Sequence, residues 1–445
     1  MDRIGDIPEI RGLDRRCHLI RIPPELDVPL TPRVRQLIDT AEFRRLARIS
    51  QLGLVSLVYP AAQHTRLEHS LGVFRLALLY LKQLSFDKRF TEIVSVHDAE
   101  RFLAAALLHD LGHWPFCHPI EDMELASVPQ HELFANSFLL ESEIAVTLHH
   151  DWGIAPREIV SLLSERPRDA KSRLLASMLS GPVDVDKMDY LMRDSLHAGV
   201  PYGRNYDHQR LIGSLCVNRA GDGLAVRDKG RTAAEMMVFA RYVMFSEVYW
   251  HHTVRCATAM LQRAFFLSQE NLDLDHLFRL SEADLIADLR ERATGKPARE
   301  LLDGLFGPTR RLYKRFAQYN AIHNGEQHRR MARKPYAWLV SCAENLAEIL
   351  ARDLGEPVAP HEVLFDAPPR RLEVQCNVEV YFAKDDCYRP LGEVSPVVHT
   401  LAHRQFDDYV KPVRVFVHPR LVSALARIPD RDALVREAAE KTPAH

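Results

Sequence analysis

Several things are scarce in this chain of 445 residues, and each scarcity removes a class of protein. No apolar run approaches the length of a membrane span, and the opening MDRIGDIPEI has no apolar core of a secretory signal. The seven cysteines are odd in number and show no CxxC spacing, so free thiols in a reducing cytosol are the expectation rather than a disulfide framework. There is almost no net charge: the formal value is -2, which gives no global field toward nucleic acid or membrane. Internal repeats and low-complexity tracts are absent too. A soluble, cytoplasmic globular protein with a large core is the reading, since 47% hydrophobic and 27% charged residues are ordinary for that class.

Helical periodicity dominates what is present. Over 67–84, Leu67, Leu71, Phe74, Leu78 and Leu81 recur at three- and four-residue steps, which predicts a helix with one buried stripe. Residues 101–111 predict a short apolar helix stopped by Gly112, and 232–268 a single long one. Extended pattern appears at 371–382 and 410–421. The prolines and glycine of 354–369 read as a linker. The expected organisation is mainly α. An N-terminal segment (1–30) leads into a helical catalytic body (31–270) and a helical extension (271–353). A linker (354–370) then joins a small α+β C-terminal region (371–445).

The chemistry-bearing residues cluster in the first half. His69, the adjacent pair His109 and Asp110, and Asp186 form a set of two imidazoles and two carboxylates suited to one divalent ion. His109 and Asp110 would diverge by about 100° inside a regular helix, so both reach one ion only from a helix end. Asp186, Tyr190 and Asp194 recur every four residues and stack on one helical face, a strip able to hold a sugar beside a metal. His113, His118, His131 and Glu132 lie near the HD pair and can move protons or bond phosphate oxygens. Arg66, Lys187 and Arg241 are cationic donors for phosphate. Arg241, Phe245 and Tyr249 share one predicted helical face, where a core stripe with a snorkelling arginine is the plainer alternative.

These strings resemble the HD-domain superfamily of metal phosphohydrolases. Within it they are most similar to the deoxynucleoside triphosphate triphosphohydrolases, the branch typified by the sterile-alpha-motif and HD-domain-containing enzyme. QLG (51–53), HTRLEHSLGV (64–73), HDLGH with PFCH (109–118) and DVDKMDYLMRD (184–194) carry the resemblance, which runs from about Leu37 to Met260. It implies that His69, His109, Asp110 and Asp186 hold the metal, and that His118 is the general acid supported by His131 and Glu121. Glu121 stands where the branch has an Asp. His113, Arg66, Lys187 and Arg241 are implied phosphate contacts, and Gln51, Tyr190 and Asp194 deoxyribose contacts. Leu52 and Tyr249 are implied to crowd the 2′ position. Trp250 replaces a polar residue that faces the base, and Trp114 replaces a small glycine. Asp39, Arg210, Arg227 and Lys229 match residues lining activating nucleotide sites between subunits, whereas Arg44 and Ala47 depart from that pattern.

The implied activity is hydrolysis of a dNTP to a deoxynucleoside and inorganic triphosphate. One divalent ion per site is implied (Mn, Fe, Mg, Zn or Ni), with further Mg accompanying nucleotide. A homo-oligomer, dimer or tetramer, activated by a nucleotide fits the same resemblance. Two alternatives stay open from the sequence: an HD phosphohydrolase for a monophosphate, cyclic nucleotide or alarmone, and a nucleotide-responsive or single-strand-binding scaffold. Basic stretches such as RRLYKR (310–315) would serve the scaffold, but four spaced metal-binding residues have no use in it.

Overall fold

The computed structural model describes residues 3–15, 18–293, 295–369, 378–403 and 410–443. The described chain is mainly helical, with short two-, four- and three-stranded sheets. It packs as two compact units, each assembled from separate segments. The first lies within 1–113, 130–244 and 375–403, and the second within 114–129, 245–374 and 404–445. Packing therefore does not follow the contiguous division expected from sequence.

The first unit is organised by five helices: α1 (Arg66–Leu84), α2 (Val96–Leu108), α3 (His131–Glu141), α4 (Val185–His197) and α5 (Arg231–Met244). Of the predicted α1 stripe, Leu67 in the first turn is half-buried, whereas Leu71, Phe74, Leu78 and Leu81 are all buried. Each large apolar side chain so buried contributes about 1.5–3 kcal/mol. Thr65 caps α1 by accepting from the Glu68 amide, and Ser95 with Asp98 forms a reciprocal cap on α2. Asp184 caps α4, accepting from the Lys187 amide at 2.6 Å. Helix α1 packs on both α2 and α4. A four-stranded sheet in this unit joins Leu215–Val217 and Leu224–Arg227 to Glu379–Phe382 and Cys387–Pro390, so the C-terminal part of the chain returns to the first unit.

The second unit contains α6 (His252–Ser268), α7 (Lys296–Phe306), α8 (Tyr336–Leu354) and α9 (Arg431–Lys441). Its sheet places Val413–Val417 between Lys314–Tyr319 and Val363–Asp366. Two expectations are corrected here. The segment 354–370 is not simply a linker: between its prolines, Val363–Asp366 is a fully buried strand, because a short apolar run flanked by turn residues can pair as well as connect. The single helix over 232–268 is broken. The regular α-helix ends at Met244, Phe245–Tyr249 form a π-turn, and α6 starts anew at His252, capped by His251. The predicted extended residues 371–377 lie outside the described residues, and the strand there begins at Glu379.

Gly112 ends the HD turn against α3. A Cβ there would lie 2.0 Å from the His131 carbonyl oxygen and 2.7 Å from the Ala135 amide nitrogen, both backbone atoms. Gly112→Ala is therefore expected to destabilise the protein by about 1–3 kcal/mol through overpacking, read as a lower urea midpoint. An unchanged midpoint would remove this close approach from the account.

Candidate metal centre

Helix α2 ends at Leu108, so His109 and Asp110 occupy the turn just beyond it, the helix-end position that their adjacency requires. The Leu111 amide bonds back to Leu108 and the His113 amide to Asp110, while Arg45 donates to the Leu111 carbonyl at 2.7 Å. The turn is thereby held from within and from outside. Across from it, α1 presents His69 and α4 presents Asp186 from its first turn.

These side chains converge. His69 Nε2 lies 3.1 Å from Asp186 Oδ1, 3.3 Å from His109 Nε2 and 4.0 Å from Asp110 Oδ2. His109 Nε2 lies 3.3 Å from Asp110 Oδ1 and 3.8 Å from Asp186 Oδ1. The far ring nitrogens decide the tautomers. His109 Nδ1 donates to the Ala106 carbonyl at 3.0 Å, and His69 Nδ1 donates to Asp189 at 2.8 Å. Both Nε2 atoms thus point into the cluster: while His69 is protonated its Nε2 proton fills the gap, and once that proton is lost the two lone pairs face each other and can share a cation. Together with two carboxylates, that donor set fits a divalent ion. His69 is 1% exposed and Asp186 31%, so the cluster is closed on the α1 side and open toward Asp186.

The electrostatics agree. Burial disfavours a charged His69, yet its bonds to Asp186 and Asp189 outweigh that and raise its pKa to about 10. Burial likewise opposes ionised Asp110, but His113, Arg66 and His109 hold it well below the usual carboxylate range. The field at the cluster favours positive charge.

Other predicted residues fall around it in the first unit. His113 is buried with Nδ1 3.1 Å from Asp110, and its ring centroid lies 3.9 Å from that of His131. His131 Nε2 lies 3.5 Å from Glu132. Arg66 donates to Asp110 at 2.8 Å, and Lys187 to Asp184 at 2.6 Å, so two expected phosphate cations already hold carboxylates. Burial raises Asp184 to about 6 against the pull of Lys187, and raises Tyr190 to about 12 against Arg241 and Lys187. Asp186, Tyr190 and Asp194 do share α4, but the strip is no solvated face, because Asp194 is 2% exposed. Gln51 and Leu52 are half-buried beside the bridge that joins Ser50 to Thr65.

In the second unit, His118 is 62% exposed with Nδ1 3.8 Å from Glu121. The Phe245 and Tyr249 rings meet edge-on at 5.1 Å. Trp250, which stands where the branch has a polar residue facing the base, is a core residue: it is 4% exposed, donates to the Pro412 carbonyl and stacks under Arg255. Trp114 is likewise buried, stacked on Phe278. Of the suggested activator residues, Arg210 donates to the Lys229 carbonyl and Arg227 lies 3.9 Å from Asp87. Asp39 is exposed, and among the described residues no side-chain bond ties it to the other three.

Sequence reasoning missed Asp189, Arg193, Glu68, His64 and His197. Asp189 and Arg193 were findable, since they stand three residues after Asp186 and then four further on along one helix. His64, which meets Asp194 at 2.9 Å and stacks on His197, carries no such local signal.

Comparison with known proteins supports the same reading. An HD-domain model matches residues 66–194 and an HD-associated-region model matches 206–426. An uncharacterized protein of Methanocaldococcus jannaschii is 33% identical over 276 residues, 61% of this chain and 55% of that one. The deoxynucleoside triphosphate triphosphohydrolase SAMHD1 of Danio rerio is 28% identical over 296 residues, 58% of this chain and 46% of the relative. The chain thus spans about half the length of these curated relatives. A crystal structure of a hypothetical protein from Aquifex aeolicus matches with a TM-score of 0.69 at 28% identity, covering 92% of this chain and 98% of that one. No helix among the described residues is long and apolar enough to cross a membrane. With the candidate metal centre lying in the matched HD region, the chain belongs to the HD-domain superfamily of metal-dependent phosphohydrolases.

Proposed function

We propose that the protein hydrolyses deoxynucleoside triphosphates to deoxynucleoside and inorganic triphosphate. The observation that carries the reading is the convergence of His69, His109, Asp110 and Asp186, with both imidazoles turned Nε2-inward. Similarity to dNTP triphosphohydrolases supports the substrate class. A divalent ion held by these four side chains supplies Lewis acidity toward a phosphate oxygen and acidifies water.

The remaining roles belong to the chain. Water adds to the α-phosphorus, the bond to the 5′ oxygen breaks, and triphosphate leaves one side of the reaction while the nucleoside takes up a proton. His118, exposed and backed by Glu121, is the donor of that proton by the family resemblance. His131 supports the same acid–base function, and His113, whose ring lies against that of His131, contacts phosphate. Arg66, Lys187 and Arg241 offset phosphate charge, which is where preorganised cations are most effective. Asp194, oriented by His64, accepts from a 3′-hydroxyl beside Tyr190. Gln51 Oε1 is buried with no hydrogen-bond partner among the described residues, which supports a donor arriving with substrate. Leu52 and Tyr249 crowd a 2′-hydroxyl. Activation by nucleotide at Asp39, Arg210, Arg227 and Lys229 within a homo-oligomer belongs to the same reading and rests on the resemblance.

Ion-exchange analysis of products tests the reaction. With Mn²⁺ and each dNTP, singly, mixed, or with GTP, deoxynucleoside and intact triphosphate are expected. Turnover confined to mixtures or to GTP-containing reactions would mark activation. Release of pyrophosphate, or hydrolysis only of monophosphates, cyclic nucleotides or alarmones, would overturn the assignment. His118→Ala is expected to lower turnover by about 10²–10⁴-fold while metal and dNTP binding persist. Full activity in that variant would take the acid role from His118.

A further inference from the structure

Behind His69, on the side away from Nε2, lies a buried chain of charges that no step of the hydrolysis uses. Asp189 Oδ2 accepts from His69 Nδ1 at 2.8 Å. Arg193, one turn further along α4, grips the same carboxylate with two nitrogens: Nε reaches Oδ2 at 2.7 Å and Nη2 reaches Oδ1 at 2.8 Å. Its third nitrogen donates to Glu68 Oε1 at 2.5 Å, and His197 meets that oxygen at 2.9 Å. Asp189 is 0% exposed and Arg193 1%.

A buried ion pair is a poor device for stability alone, because well-packed apolar residues serve as well or better. This one also demands room. Gly72 of α1 supplies it: a Cβ there would lie 2.0 Å from Asp189 Oδ1 and 2.2 Å from Arg193 Nη2. A glycine inside a helix costs about 0.5–1 kcal/mol relative to alanine. Helix α1 therefore gives up a side chain at the point where the pair passes beneath it.

What the pair fixes is orientation. A lone carboxylate behind an imidazole can rotate about its own bonds. Here both oxygens are engaged by the arginine fork, so the oxygen facing His69 has one place to be. That sets the ring plane of His69, keeps the proton on Nδ1, and turns the Nε2 lone pair inward.

We infer that Asp189 and Arg193 are positioning residues that set the affinity of the His69 cluster for its divalent ion. The inference rests on the metal reading above, and the test separates the two. Mn²⁺ is titrated calorimetrically into the metal-stripped full chain. Asp189→Asn keeps the side-chain shape, removes the charge and is expected to weaken Mn²⁺ binding by about 10–100-fold. Because that change leaves Arg193 with one partner fewer, the double variant Asp189→Asn/Arg193→Gln removes both charges together and is expected to show a similar loss with native circular dichroism. Wild-type affinity in either folded variant overturns the inference while leaving the metal reading intact. Loss of fold in both variants assigns the pair to stability and overturns it as well. Failure of the wild-type protein to bind Mn²⁺, Zn²⁺, Fe²⁺, Mg²⁺ or Ni²⁺ sinks the metal reading itself.

Discussion

The imidazole of His69 is gripped at both nitrogens by one helix, and the rest of the site depends on that grip. Asp186 meets Nε2 and Asp189 meets Nδ1, from positions three residues apart on α4. Residues three apart on a helix lie on one face, so a single ring can touch both only while α4 stays helical and stays packed on α1. The N-cap of Asp184 is thus part of the site's construction, because it fixes where that helix begins and so where Asp186 points. His109 and Asp110 meet the same constraint differently. They reach the cluster from a turn, where the helical divergence of adjacent side chains no longer applies.

How much of this was legible follows from the range of each interaction. The α1 stripe, the α4 strip and the helix-end position of His109 and Asp110 are written in local spacing, and the structure has them. The HD strings pointed to the four side chains that the structure brings together, because the resemblance supplied contacts that periodicity cannot. Pairings across the chain were not legible. His64 meets Asp194 130 positions away and His69 meets Asp189 120 positions away, and no pattern within either segment announces the other. The misread strand has the same cause. The strand Val363–Asp366 is chosen by its partner Val413–Val417, whereas its own sequence advertises prolines on both sides. The break after Met244 differs, because Phe245, Ser246, Val248, Tyr249, Trp250 and His251 are all weak helix formers, a local signal that the apolar periodicity of 232–268 outweighed. Trp250 departs from the family's polar residue for a long-range reason too: an indole needs a partner for its N–H when buried, and it found the Pro412 carbonyl 162 positions away.

Charge bookkeeping ties the site to its chemistry. Around His69 lie three carboxylates, Asp110, Asp186 and Asp189; Asp110 is hydrogen-bonded to Arg66 and Asp189 to Arg193, which leaves Asp186 facing the imidazole as the excess charge. Burying an excess of negative charge is costly unless something positive completes it. Without metal, histidine protons must do so, which is why His69 holds its proton to about 10. A divalent ion does the same with ligands in their deprotonated form, releasing that proton as it binds. The acidic excess is therefore the physical reason for the cluster to take a cation, and the Nδ1 partners of His69 and His109 are the reason that cation meets two lone pairs. Affinity comes from the first feature and geometry from the second. Only the first can be approached by counting residues in a sequence.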